Sequence, residues 1–119
     1  MLAQSVLKAV NTYLDAVRAQ GIAVERAVVF GSQATGTAHA LSDIDLLVIS
    51  PQFDAMRDRS GINLLWRLAA RVDSRIEPIP CGSRRWLEDD RSAIIEVARL
   101  QGLLGFAGLN PTYNLNDDE

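Results

Sequence analysis

The chain has 119 residues, 48% of them apolar and 23% charged, which is the size and composition of one compact folded domain. Its formal net charge is −3, so it lacks the basic footprint of a protein that coats nucleic acid, and we expect no direct nucleic-acid binding. A single cysteine, Cys81, and a single histidine, His39, exclude an intramolecular disulfide and argue against a Cys/His zinc site.

The first half of the chain predicts one helix and two strands. Apolar residues recur with helical spacing over residues 3–20, and Gly21 is a typical residue to end that helix. Residues 26–30, RAVVF, predict a short strand that stops in a tight turn. Residues 43–50, DIDLLVIS, predict a second strand, and their near-continuous apolar half favours a central position in the sheet.

The next segment predicts a second helix and a third strand. Residues 52–60 are polar and predict a loop or a frayed turn, and the apolar stripe of residues 62–72 predicts an amphipathic helix. Residues 74–80, SRIEPIP, predict a short strand. Because Pro78 has no backbone N–H to donate, this strand is expected at an edge of the sheet or near its own end.

The last part of the chain predicts more helix and then a tail. Ser83 is a candidate N-cap, and residues 93–102, AIIEVARLQG, predict a helix that ends at its glycine. Residues 103–106, LLGF, are a candidate final strand, and residues 109–119 predict a polar, poorly ordered tail. We expect residues 1–108 to form one domain.

The chain shows no signal for a membrane or for secretion. No run approaches the roughly 18 consecutive apolar residues of a membrane span. The N-terminus, MLAQSVLKAV, has neither a long apolar core nor a cleavage signature. We therefore expect a cytoplasmic protein without a membrane partner.

Two aspartates lie one residue apart at the start of the second predicted strand. Alternate strand residues share a face, so Asp43 and Asp45 are neighbours, with Cα atoms about 6.6 Å apart. At an effective dielectric constant near 20, two such charges repel by about 2–3 kcal/mol, so a cation is expected between them. A simple turn at the start of the strand is the alternative for an isolated pair.

Two other features strengthen the evidence that the aspartate pair is a functional site. Gly31 and Ser32 end the preceding strand, where a small residue allows close approach to a ligand and a helix start offers N–H groups to phosphate. Glu77 lies on the third predicted strand, between apolar residues. Three acids opposite a phosphate cradle indicate a divalent-metal site for a nucleotide, although Glu77 could instead be a solvated charge at a strand end.

These residues together resemble the signature of the nucleotidyltransferase superfamily related to DNA polymerase β. That signature is an apolar residue followed by Gly-Ser, then two alternating acids on a strand, then a later acid in a short apolar strand. The sequence FGSQATGTAHALSDIDLLV is similar to that of the small prokaryotic minimal nucleotidyltransferases, the MNT proteins. The motif residues here are Phe30-Gly31-Ser32, Asp43-Ile44-Asp45-Leu46 and Ile76-Glu77.

The resemblance implies a fold and a set of site residues. The fold is α/β (α+β), a short mixed sheet with helices packed on one face. Asp43, Asp45 and Glu77 are the implied catalytic and metal-binding residues, with two Mg²⁺ ions when nucleotide is bound. Gly31 and Ser32 are the implied nucleotide-binding residues.

The sequence also departs from many MNT proteins. Those proteins carry arginines in the turn after Gly-Ser, where this chain has Gln33 and Thr35, and the third acid is more often aspartate than Glu77.

The resemblance also implies a substrate and a partner. MNT proteins act as antitoxins that transfer AMP from ATP to a tyrosine of a HEPN toxin, a helical ribonuclease. The sequence does not identify the base, so the bound nucleotide is ATP or another nucleoside triphosphate. One alternative is a catalytically weak module that neutralises its partner by binding. Another is an enzyme that modifies a small molecule such as an aminoglycoside. Self-association through a short edge strand is a further possibility.

Five other residues have weaker claims to a functional role. His39 is expected to be an exposed loop residue. Arg84 and Arg85 could face the nucleotide or a partner, or form a solvated helical turn. Trp66 and Trp86 belong either to the core or to a contact surface, and periodicity does not decide between these.

Overall fold

A computed structural model of the protein describes residues 3–39, 41–56, 59–89 and 91–101. The predicted strand 103–106 and the predicted tail 109–119 lie outside the described residues. In chain order the elements are α1 (Gln4–Ala19), β1 (Arg26–Phe30), α2 (Ser32–Thr35), β2 (Ile44–Ser50), α3 (Gln52–Ala55), α4 (Ser60–Val72), β3 (Ile76–Gly82), α5 (Ser83–Glu88) and α6 (Ala93–Gln101).

The three strands form one mixed sheet in the order β1-β2-β3, so the predicted central position of β2 is confirmed. β1 runs antiparallel to β2, and β3 runs parallel to it. The ladder between β2 and β3 begins at Ile44, one residue later than the predicted start of the strand. β3 is an edge strand, as predicted, and Pro78 and Pro80 remove two of the donors that an edge would otherwise present.

One face of the sheet packs against α1 and α4. The hydroxyl group of Tyr13 on α1 donates a 2.9 Å hydrogen bond to the carbonyl oxygen of Leu65 on α4, which joins the two helices inside this core. Burial raises the pKa of the Tyr13 hydroxyl. The fully buried residues that line this core include Val10, Tyr13, Leu14, Val17, Val29, Ile44, Leu46, Val48 and Leu65.

Helices cover the opposite face as well. The predicted mixed sheet with packed helices is confirmed, but the helices lie on both faces and not on one, because α5 and α6 form a second layer that contains Trp86, Ile95 and Ala98. Arg99 donates a hydrogen bond to the carbonyl oxygen of Trp86, and its guanidinium carbon lies 5.4 Å from the centroid of the Trp86 ring. β2 is therefore apolar on both faces, which explains its continuous apolar sequence.

Two local predictions were wrong. Residues 52–55, expected in a loop or frayed turn, form α3, which follows directly on Pro51 with its helix-compatible φ of −62°. Ser83 is the first residue of α5 and not its N-cap, which is Gly82. The Arg84 N–H of this first turn donates instead to Oδ2 of Asp54 on α3, at 3.0 Å.

The described helices are too short or too polar to cross a lipid bilayer.

Candidate active site

The turn after β1 has a backbone shape that favours glycine. Gly31 has φ of 74° and ψ of −149°, a combination that a residue with a side chain rarely adopts. Ser32 then begins the one-turn helix α2, and its carbonyl oxygen accepts a 3.1 Å hydrogen bond from the Thr37 N–H. Gly36, with φ of 79°, ends α2.

Gly31 also leaves room for one of the predicted acids. The antiparallel register places Phe30 opposite Asp45, so the turn that follows β1 passes beside the Asp45 side chain. A Cβ atom built on Gly31 would overlap Oδ2 of Asp45. The backbone conformation therefore favours glycine here, and a side chain at this position would also force the Asp45 carboxylate to move.

The structure brings the three predicted acids together. Asp45 and Glu77 are opposite each other in the parallel register of β2 and β3, so their side chains lie on the same face of the sheet. Asp43 precedes Asp45 by two residues, and its carboxyl group is close enough to that of Glu77 for a hydrogen bond when one of the two is protonated. The prediction that Glu77 joins the aspartate pair agrees with this geometry.

Asp45 and Glu77 both have a raised pKa. Burial raises the pKa of Asp45, and the negative charge of Asp43 raises it further. The hydrogen bond with Asp43 is the main cause of the raised pKa of Glu77, followed by burial and by the charges of both aspartates. Bringing three like charges together in this way favours binding of a proton or a cation.

The donors in this cluster are of the type that Mg²⁺ uses. In the described part of the chain, no three Asp, Glu, His or Cys side chains are arranged so that together they could hold a metal ion. Mg²⁺ does not require three such side chains, because it is usually held by one or two carboxylates and completes its shell with water and substrate phosphates. Asp43 is exposed, and Asp45 and Glu77 are partly exposed, so a substrate could supply these further ligands.

The weaker candidates lie elsewhere or bond to their own element. The side chain of His39 is exposed, as expected. Arg84 and Arg85 follow the far end of β3 and form ion pairs within the α5 region, with Glu88 at 3.5 Å and Asp89 at 3.0 Å. They therefore fit the solvated-turn interpretation better than a nucleotide contact.

The two tryptophans have different environments. Trp86 is a core residue, 7% exposed, whereas Trp66 on α4 is 46% exposed.

Gln33 is a residue whose position the sequence did not reveal. It was notable only as a departure from the arginines of related proteins, yet it is 8% exposed and its amide bonds to the backbone next to Asp43. The hydrogen-bond partners of Gln33 depend on the path of the loop before β2, and local sequence patterns do not predict that path.

A family model described as a nucleotidyltransferase domain matches residues 10–97. The matched range contains the whole sheet, the Gly31 turn and all three acids. This chain belongs to the nucleotidyltransferase domain family. The coarse function, transfer of a nucleotidyl group, follows from that membership.

A solved structure has a similar fold to this nucleotidyltransferase. It is the crystal structure of a protein from Sulfolobus solfataricus assigned as a nucleotidyltransferase, with a TM-score of 0.57 and 21% sequence identity. The match covers 68% of this chain and 70% of that chain. At this identity the similarity shows a shared fold and confirms the predicted fold class. A search of curated proteins gave no significant match.

Proposed function

We propose that this nucleotidyltransferase uses Mg²⁺ to transfer AMP from ATP to a tyrosine hydroxyl of a HEPN toxin, and that it acts as the antitoxin of that toxin. The observation that carries the catalytic part is the convergence of Asp43, Asp45 and Glu77 beside the Gly31 turn. The family supplies the reaction class. The acceptor rests on the resemblance to MNT proteins.

The reaction is a displacement at the α-phosphorus of ATP. The acceptor oxygen forms a bond to this phosphorus, and the bond from the phosphorus to the bridging oxygen of pyrophosphate breaks. Pyrophosphate leaves with the electron pair, and the hydroxyl proton passes to the Glu77 carboxylate.

Asp43 and Asp45 would hold Mg²⁺ against the triphosphate, and Glu77 would join them at a second ion. When bound, such ions neutralise the charge that develops on the attacking and leaving oxygens. Gly31 and Ser32 would contact the triphosphate at the start of α2, where the glycine lets the backbone approach closely. Neutral Gln33 and Thr35 supply no positive charge to this contact.

The HEPN partner is also plausible on electrostatic grounds. The net charge of −3 suits a basic ribonuclease, because opposite charges speed association and favour the correct partner. A cytoplasmic location and the possibility of self-association stay predictions.

A labelling experiment tests the proposal. The protein is incubated with α-labelled ATP, Mg²⁺ and the product of the neighbouring gene, and transfer of label to that product is measured. We expect label with the wild type and with Asp15→Asn, a control at an exposed aspartate on α1. We expect none with the double variant Asp43→Asn/Asp45→Asn.

Other outcomes of the same experiment would favour other functions. Neutralisation of the toxin that survives the double substitution would contradict catalysis and support a binding module. Labelling that needs only an added aminoglycoside would instead identify a small-molecule acceptor.

A further inference from the structure

Gln33 is a buried amide inside the motif turn. It is the second residue of α2 and is only 8% exposed. Burying an amide is costly unless its donors find partners, so the partners of this side chain indicate what the residue does in the fold.

Both donors of Gln33 are directed at the backbone that leads into β2. Its Nε2 atom donates to the carbonyl oxygen of Ser42 at 3.2 Å and to that of Asp43 at 3.3 Å. Because carbonyl oxygens only accept hydrogen bonds, the NH₂ end of the amide must face them. One side chain therefore holds two successive peptide groups, including that of a predicted metal ligand.

The main chain of Asp43 lies just before the strand ladder begins. The residue precedes β2, whose ladder with β3 starts at Ile44, where the Ile44 N–H donates to the Arg75 carbonyl oxygen at 2.7 Å. The Asp43 side chain is exposed, so core packing does not hold it. On the other side, Ser42 closes a local turn by donating its N–H to the His39 carbonyl oxygen at 2.9 Å.

We propose that Gln33 is a positioning residue that fixes the main chain of Ser42 and Asp43, and so sets where the Asp43 carboxylate lies relative to Asp45 and Glu77. Its consequence for catalysis rests on the proposed function, but its effect on the backbone does not. Residues that orient metal ligands in this indirect way typically change metal affinity or activity by about 10- to 100-fold when replaced. Gln33 therefore acts through Asp43 and need not touch the nucleotide.

Two matched variants test this role. Gln33→Met keeps roughly the same volume and removes both donors. Gln52→Met is the control, because the Gln52 amide also bonds two backbone groups, accepting from the Ala23 N–H at 2.6 Å and donating to the Gly21 carbonyl oxygen at 3.2 Å. Gln52 lies beyond the far end of β2, and Asp45 and Ser50 alone are separated by about 16 Å of strand.

Two readouts separate positioning from a general loss of stability. The first is amide hydrogen exchange at Ser42 and Ile44 without metal or nucleotide. The second is Mn²⁺ affinity in the presence of a non-hydrolysable ATP analogue, followed by electron paramagnetic resonance. We expect Gln33→Met to speed exchange at both amides at least 10-fold and to weaken Mn²⁺ binding 10- to 100-fold, with no more than twofold changes in Gln52→Met.

Each result decides the matter. Equal Mn²⁺ affinity of the two variants would overturn the proposal, and so would unchanged exchange at Ser42 and Ile44. If the wild type itself fails to bind Mn²⁺ with the analogue, the proposed function fails. In that case only hydrogen exchange tests the role of Gln33. Faster exchange in Gln33→Met but not in Gln52→Met would support the proposal that Gln33 fixes the backbone, and equal exchange in the two variants would overturn it.

Discussion

At the scale of single residues, the site depends on the absence of a side chain at Gly31. Gly31 and Asp45 are separate parts of the sequence motif, but the antiparallel pairing of β1 with β2 brings them into contact. A Cβ at Gly31 would displace the Asp45 carboxylate from its position beside the turn. The glycine therefore determines where a metal-ligand candidate can be placed.

We predict that Gly31→Ala will lower nucleotidyl transfer about 100-fold, because displacing a reacting group by about 1 Å can cost that much. The free energy of unfolding should fall by about 1–3 kcal/mol, the cost of a strained backbone conformation. Both effects can be measured in parallel, transfer with α-labelled ATP and stability by urea unfolding.

Gly21→Ala is the matched control for this prediction. Gly21 also has a positive φ, of 89°, but a Cβ there would meet nothing within 4 Å, and the residue follows α1 away from the acids. Its stability should fall by about 1–2 kcal/mol while transfer is kept. An equal loss of transfer in both variants would show that Gly31 matters only through stability.

Some of these residue-level features could be predicted and others could not. The shared face of Asp43 and Asp45 follows from strand alternation, which needs only the local sequence. The contact of Glu77 with Asp43 was predicted from the motif. The closeness of Gly31 to Asp45 depends on how β1 pairs with β2. The hydrogen bonds of Gln33 depend on the path of the loop before β2. Residues far apart in the sequence determine both, so a local pattern does not predict them.

At the scale of elements, the junction between α5 and α6 is organised by Asp89. Its Oδ1 atom accepts hydrogen bonds from the N–H groups of Arg91 at 2.8 Å and Ser92 at 2.9 Å, just before α6 begins. Its Oδ2 atom accepts one from Nε of Arg85 at 3.0 Å. These bonds, led by those from the backbone, lower the pKa of Asp89 to about 2.

This shift predicts a pH dependence of stability. A carboxyl group whose pKa is lower in the folded state stabilises the protein above its unfolded pKa, near ~3.9, and this contribution is lost as the pH falls toward about 2. Asp89→Asn can still accept the backbone hydrogen bonds but does not titrate. The wild type should therefore be more stable than the variant at pH 5–7, and the difference should close as the solution is acidified.

Urea unfolding across this pH range is the measurement. Glu88→Gln is the control, since its exposed pair with Arg84 at 3.5 Å should contribute little. A stability difference for Asp89→Asn that stays constant down to pH 2 would contradict the assignment.

Most elements could be predicted because their signals are local. The apolar stripes of α1 and α4 and the β-branched runs of β1 and β2 report burial directly. α3 and the start of α5 could not be predicted in this way. The first turn of α5 is completed by Asp54 of α3, and Ser83 donates its hydroxyl to Glu25 near β1.

At the scale of the whole molecule, two apolar layers enclose the sheet and leave the acids at one end of β2. Cys81 lies in the second layer, where it is 1% exposed. Burial raises the pKa of its thiol to about 11. Its reactivity should therefore report opening of the fold.

We predict that Cys81 will react slowly with Ellman's reagent at pH 8 in the native protein and rapidly in concentrated urea. A pKa of about 11 leaves roughly one thiol in a thousand ionised at pH 8, and burial also blocks the reagent. Cys81→Ser gives the background rate. Rapid, complete labelling of the native protein would show that the second layer is open.

The cluster of Asp43, Asp45 and Glu77 is expected to lower the stability of the folded protein when no cation is bound. Burial is the main cause of the raised pKa of Asp45, and the negative charge of Asp43 adds to it, so the fold tolerates both a buried carboxylate and a like charge beside it. Replacing Asp45 by asparagine should relieve both, so the variant should be at least as stable as the wild type without ligand. A residue that costs stability in this way is expected where binding of a cation requires it.

Thermal unfolding of the wild type and of Asp45→Asn, each with and without Mg²⁺ and a non-hydrolysable ATP analogue, tests this claim most directly. A ligand present at 100 times its Kd stabilises the folded state by about 2.7 kcal/mol, so the wild-type midpoint should rise by several degrees when both are added. The midpoint of Asp45→Asn should rise no further with Mg²⁺ than with the analogue alone. An equal Mg²⁺-dependent rise in both proteins would contradict the assignment of these acids to the metal site.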